Sequence, residues 1–199
     1  MKTKAILTLL SITLLISCGG EESSIGDQHL RKGEYQQAVD AYTEYLKLNP
    51  ADLKTIYNRG RAYEELQQYE KALVDFNTVL KKDPLNASAY ISVGKDFYYR
   101  KSDYENAHYN FDLAIKYDKN NPNALYLRGK ANQKLGNLDD ALDDYNSALS
   151  INDNLAEAYM ARGSLKIFKK QKRSACQDFS SARRLGLEEA EDVIKKYCK

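Results

Sequence analysis

Three kinds of residue in this 199-residue chain could do chemistry. They are the cysteines Cys18, Cys176 and Cys198, the histidines His29 and His108, and acidic pairs such as Glu64-Glu65 and Asp139-Asp140. A thiol can act as nucleophile, bind metal, take an acyl group or form a disulfide. The first two roles need a base or further ligands close by. His29 and His108 lie far apart in sequence, at no metal-ligand spacing, and neither neighbours a cysteine. No phosphate-cradling glycine loop, HExxH, GxSxG or CxxC occurs. Glu64-Glu65 alone does not make an acid–base pair, and Asp139 and Asp140 suit the first turn of a helix. Asp143 and Asp144 read as an acidic surface, without the further ligands a metal needs. The sequence therefore reads as a non-enzyme with no metal site and no cofactor. What the thiols do depends on the elements that hold them.

Cys18 follows a positive start at Lys2 and Lys4 and a 12-residue apolar run over 5–16. Small Ser17 precedes it. This is the pattern of a secretory signal, and it is short of the ~20 residues a spanning helix needs. The stretch Leu15-Ile16-Ser17-Cys18 resembles the lipobox of bacterial lipoproteins. That resemblance implies cleavage before Cys18, a diacylglycerol on its thiol and an acyl group on its new amine. The glycine after Cys18 implies outer-membrane sorting, and the acidic residues beyond it resemble a surface-export signal. Cleavage would remove two lysines from a formal charge of +2 and leave zero. Anchoring would then rest on the acyl chains, at about 0.8 kcal/mol per buried CH₂. A charge this small also argues against a nucleic-acid partner.

The rest of the chain repeats. Gly26, Gly60, Gly94, Gly129 and Gly163 are spaced 34, 34, 35 and 34 residues apart. Twelve or thirteen residues after each stands an alanine: Ala38, Ala72, Ala107, Ala141 and Ala175. Four residues further on stands an aromatic: Tyr42, Phe76, Phe111, Tyr145 and Phe179. A fixed period of this length means stacked supersecondary units. Apolar residues recur at helical intervals over 56–66 and again over 69–80. The turn between them is as short as Gln67-Gln68, so each unit is an antiparallel helix pair. Gly33 and Gly136 occupy this turn in units one and four, as a helix C-terminus prefers. Unit three has one extra residue near Arg100 to Asp103. Asn49-Pro50 and Asp83-Pro84 end second helices. The column glycine lies mid-helix, at a cost near 1 kcal/mol against alanine. That cost is expected where a neighbouring element leaves no room for a side chain.

These columns resemble the tetratricopeptide repeat (TPR). The resemblance implies an all-α fold, a right-handed α-solenoid of about five TPR helix pairs plus a C-terminal capping helix. The expected organisation is a signal peptide at 1–17, a tether at 18–24, the solenoid at 25–185 and the cap at 186–199. The repeats run at about 20–52, 53–86, 87–121, 122–155 and 156–185. In the cap, Leu187, Ala190 and Ile194 would face inward, with Val193 beside them. Cys176 and Cys198 are equidistant from residue 187, where the chain should turn. Equidistant residues of an antiparallel pair face each other, and an exported location is oxidising enough for a bridge. The alternative is two buried thiols.

In TPR proteins the first helices line a concave groove where partners bind. Counting from each glycine puts Tyr57, Arg61, Ile91, Lys95, Tyr98, Tyr99, Tyr126, Lys130, Met160 and Phe168 there. Arg61, Lys95 and Lys130 form a basic ladder beside large apolar or amphipathic side chains. A protein partner with acidic and apolar anchors would suit this surface. The chaperone-tail binders of the family use a clamp of Lys, Asn and Arg. Asn58 matches one element, but Ser88 and Ser92 stand where basic residues belong, so that function is not carried over. The basic run over 166–173 reads as a solvated turn. The sequence thus points to a membrane-anchored adaptor of the bacterial cell envelope, with its N-terminal lipid in the outer membrane. A periplasmic holdase-like chaperone, or a receptor for a small ligand or glycan, are the alternatives. The packing columns make a first prediction. Ala107→Leu overpacks the unit and lowers stability by about 1–3 kcal/mol, read by urea denaturation.

Overall fold

The computed structural model describes residues 21–198. The signal, Cys18 and the residues just after it lie outside the described residues. The chain divides into two compact units, one ending at Gln67 and one beginning at Gln68. The first unit holds α1 (Glu21–Lys32), α2 (Tyr35–Leu48) and α3 (Leu53–Glu65). The second holds α4 (Tyr69–Lys82), α5 (Ala87–Lys95), α6 (Tyr104–Tyr117), α7 (Pro122–Leu135) and α8 (Leu138–Ile151). It continues with α9 (Ala156–Phe168), α10 (Lys172–Arg184) and α11 (Glu189–Tyr197). No strand occurs among the described residues. Residues 21–24, expected in the tether, already belong to α1.

Each helix starts and stops for local reasons. Asp52, Asn86, Asp103 and Asn121 accept backbone N–H bonds at the starts of α3, α5, α6 and α7. This satisfies donors that the first turn leaves open. Pro122 opens α7, where no N–H is needed. The proline signals after Asn49 and Asp83 fall just past α2 and α4.

The column glycines make room for a ring. A Cβ placed on Gly94 would lie 2.6 Å from Phe111, on Gly129 2.7 Å from Tyr145, and on Gly163 2.6 Å from Phe179. Thus an aromatic side chain of the second helix, rather than a crossing backbone, takes the space. Phe111, Tyr145 and Phe179 have no exposed surface, and neither do Ala107, Ala141 and Ala175. Complete burial of such a ring is worth roughly 1.5–3 kcal/mol.

Unit three absorbs its additional residue by changing helix type. After α5 the chain continues as a π-helix over Asp96–Lys101, and Ser102 then turns left-handed at φ 54°. A one-residue insertion in a helix produces this wider turn. At the other end of the chain, the turn falls at Gly186, with φ +91°. Cys176 and Cys198 are joined, with Cα atoms 5.7 Å apart. The cap α11 has only nine residues, and Ala190 is its one fully buried side chain. Leu187, Val193 and Ile194 are half-buried. Helices this short do not hold in isolation, so the bridge and the Arg183–Glu191 pair at 3.0 Å fix it to α10.

A left-handed residue joins the helices of every pair: Gly33, Gln67, Ser102, Gly136 and Lys170. A side chain disfavours this conformation. Lys170→Gly is therefore expected to raise stability by about 0.5–1 kcal/mol, and Gly136→Ala to lower it by about 1 kcal/mol. Urea denaturation of both variants checks the pair.

Candidate functional site

The second unit carries a polar framework that positions its first helices. Arg128 on α7 holds Asp144 on α8 in two hydrogen bonds, at 3.1 and 2.6 Å. Asn132 donates to the same carboxylate at 3.0 Å. Arg128 also reaches Asp112 of the preceding pair at 2.6 Å. The hydrogen bond from Asp144 is the main cause that pushes the Arg128 guanidinium above its usual range. One pair later, Arg162 repeats the arrangement with Asp178, at 3.0 and 2.7 Å, and with Asn146 at 2.9 Å. Asp144 is only 4% exposed. It is part of this buried framework and does not contribute to an acidic surface as the sequence suggested. The signal was readable: arginine precedes the glycine, and aspartate precedes the aromatic, in both pairs.

On this framework stands an aromatic cage. The Lys130 ammonium on α7 lies 5.0 Å from the ring centre of Tyr98, 4.8 Å from that of Tyr99 and 5.6 Å from that of Tyr126. It donates to the Tyr99 hydroxyl at 2.9 Å. Tyr98 packs edge-on against Tyr99 and Tyr104. One turn along α7, Lys134 lies over the Tyr104 ring at 5.9 Å. Rings at these distances stabilise an ammonium through their quadrupoles. Burial first, then the neighbouring tyrosines, pushes the Tyr98 phenol up to about 12. Burial also raises the Tyr126 phenol. Tyr98 and Tyr126 therefore stay neutral at physiological pH.

The π-helix puts Tyr98 and Tyr99 in place, and an ion cluster around the buried Asp96 carboxylate holds it. Asp96 pairs with Arg100 at 2.5 Å and with Lys101 at 3.1 Å, and Arg100 also reaches Glu70 at 3.0 Å. Burial pushes the Asp96 carboxyl up, but the hydrogen bonds from Arg100 and Lys101 outweigh it and hold the group below the usual carboxylate range. Counting from the glycine also put Lys134 on this face, but residue spacing alone did not reveal Asp96, Arg100 or Tyr104 as part of this arrangement.

Of the residues assigned to the groove, the structure thus brings together Tyr98, Tyr99, Tyr126 and Lys130. Tyr98 is 8% exposed and serves the core more than the surface, because the π turn rotates it inward against Phe111 and Leu127. Ile91 packs half-buried against the same cluster. Tyr99 is 57% and Phe168 72% exposed. Lys95 and Met160 are half-buried. Tyr57, half-buried, and Arg61, exposed, belong to the first unit. There, Asp27 gathers Tyr42, Asn58 and Lys54 at 2.7, 2.9 and 3.2 Å, so Asn58 is engaged internally. In the basic run, Lys166 pairs with Asp178 and Lys169 with Asp139.

Paired helices, column glycines under rings and left-handed turns define a tetratricopeptide repeat protein. Tetratricopeptide and TPR repeat profiles match residues 24–52, 54–86, 96–136 and 122–155, and the chain belongs to this family. It is 31% identical over 157 residues to human "Tetratricopeptide repeat protein 6", covering 77% of this chain and 30% of that protein. It is 29% identical over 105 residues to the wheat (Triticum aestivum) "Hsp70-Hsp90 organizing protein", covering 53% of this chain and 18% of that one. The chain thus spans less than a third of these relatives. Among solved structures, PilW, described as a widely conserved type IV pilus biogenesis factor, superposes with a TM-score of 0.75 at 19% identity. That match covers 84% of this chain and 77% of PilW. MamA superposes with a TM-score of 0.67 at 24% identity, covering 90% and 94% of the two chains. These likenesses are of fold.

The Asp96 cluster predicts an acid dependence. A carboxyl held low in the folded state adds stability above its unfolded pKa of about 3.9, and loses it as pH falls through the folded value. Asp96→Asn should cost about 1.5–3 kcal/mol at pH 7. The gap to the parent protein should close as pH drops below about 4, measured by urea denaturation across that range.

Proposed function

We propose that this chain is a membrane-anchored TPR lipoprotein of the bacterial cell envelope that holds a protein partner and catalyses no reaction. Cys18 carries the lipid, and the outer membrane is its site. The observation that carries the adaptor reading is the Lys130 cage with the exposed Tyr99 and Phe168. It gathers aromatic surface and positive charge on the first helices of the second unit. Such mixtures of aromatic and cationic groups form the energetic centres of interfaces. Support for the anchor comes from the sequence, where the lipobox-like stretch leads within a few residues into α1. Support for a protein partner comes from the family. YrrB, a structural neighbour with a TM-score of 0.66, is described as a TPR protein with an unusual peptide-binding site.

The reading is tested in intact cells with a photo-crosslinking amino acid at Gln133, exposed on α7 three residues past Lys130, or at Phe168. One discrete protein adduct, identified by mass spectrometry, is the expected result. A smear of many unrelated chains would favour a holdase, and no adduct at either position would remove the adaptor. The anchor has its own check. The intact mass of the native protein should fit a chain starting at Cys18, heavier by its acyl groups. An unmodified cysteine or a retained Met1 would overturn it.

A further inference from the structure

The cage raises a question of charge. Lys130 is half-buried, so it is not an ordinary solvated lysine. Among the described residues, no carboxylate pairs with Lys130 or with Lys134; Lys130 meets three tyrosine rings and one tyrosine hydroxyl, and Lys134 one tyrosine ring. Elsewhere in the same unit, Arg100, Arg128, Arg162, Lys166 and Lys169 each meet a carboxylate. Lys130 is thus a partly desolvated cation and Lys134 an exposed one a turn away, and neither is paired with a carboxylate; the nearest acidic influence on the cage is that of Glu157 on the Tyr126 phenol. The rings hold the ammonium in place, but they do not neutralise it. The remaining N–H groups of Lys130 can each donate.

The geometry points to a receptor for the side-chain carboxylates of an extended acidic segment in the protein partner, built by the one-residue insertion of unit three. This inference rests on the adaptor reading and gives its partner a chemistry. Without the insertion, the spacing from Gly94 to Gly129 would be 34 residues, as in most other pairs. The π-helix over Asp96–Lys101 would then have no additional residue to hold, and Tyr99 would no longer be turned onto Lys130. Spacing narrows the segment further. Lys130 and Lys134 are four residues apart, about 6 Å along α7. Alternate residues of an extended chain are about 6.5 Å apart on one face. Acidic residues two apart would therefore reach both lysines, as acid-x-acid. Each carboxylate would accept a charge-assisted hydrogen bond, stronger than a neutral one. Cationic surroundings argue against the opposite occupant, a partner ammonium entering the cage.

The test uses the full chain with labelled lysines, followed by NMR at the side-chain ε-methylene groups. The probe is an N-acetylated, C-amidated hexapeptide of alternating Glu and Ala. It should shift the Lys130 and Lys134 signals saturably. The Gln-Ala counterpart should bind at least about tenfold more weakly, as loss of a charge-assisted hydrogen bond implies. Lys130→Met should weaken the Glu peptide by a similar factor. Deletion of Ser102 should keep cooperative melting and lose both the upfield ring-current shift of Lys130 and the peptide binding. If that deletion does not fold, Tyr99→Leu takes its place. Equal binding of the Glu and Gln peptides, no shift at millimolar peptide, or unchanged affinity in a folded Ser102 deletion would overturn the receptor. Crosslinking in cells that survives Lys130→Met would also overturn it, while leaving the adaptor standing. Absence of any crosslink would remove the adaptor itself.

Discussion

The second unit depends on one contact, the flat ring of a second helix laid on a glycine of the first. Where a Cβ would come within 3 Å of that ring, the two helices can approach only if no side chain stands between them. The alanine columns continue this close approach along the partner helix, and all of them are buried. The arginine–aspartate pairs then fix the rotation of each helix about its axis. Their bonds run both within a pair and back to the preceding one, through Asp112 and Asn146. Apolar shape sets how near the helices lie, and the ion pairs set their angular register. A buried carboxylate with a missing partner would be costly, so the register is strongly specified.

Much of this was legible because repetition magnifies weak signals. One glycine in a helix says little, but five in a column at a near-constant period define the helix pair. Counting put the turn at Gly186 and Cys176 opposite Cys198, but left a bridge and two buried thiols both open; the structure joins them. Other features were hidden for physical reasons. The additional residue in unit three was visible, but its conversion into a π-helix was not. A longer turn or a displaced loop would have given the same count. Asp144 read as surface because it sits in the acidic stretch LDDALDDY. Helical geometry instead turns it inward to Arg128, while Asp139, Asp140 and Asp143 stay exposed. The cage was half legible. The column positions named Tyr98, Tyr99, Tyr126 and Lys130 as neighbours of one face. That the rings would surround the ammonium depended on the π turn.

The cage and the framework also show two uses of positive charge in a single fold. Arg128 and Arg162 are spent on buried carboxylates and are therefore structural. Among the described residues, Lys130 and Lys134 meet tyrosines and no carboxylate, and Lys130 spends one N–H on the Tyr99 hydroxyl and keeps the others. Arginine suits the first task because its planar fork grips both oxygens of a carboxylate, whereas lysine, a compact point charge, serves in either place: Lys166 joins Arg162 on Asp178, and Lys130 meets no carboxylate. This division separates what holds the helices from what the surface offers to another molecule.

The bridge at the end of the chain affects how the molecule comes apart. In a stacked array the terminal elements have fewest neighbours, so unravelling ordinarily starts there. Here α11 cannot leave α10 without breaking a covalent bond, since Cys198 lies one residue beyond the helix and Cys176 lies inside α10. A protease or a pulling force is therefore denied the foothold that a detached α11 would offer. How firmly α11 stays down thus depends on oxidation state as well as on its contacts with α10.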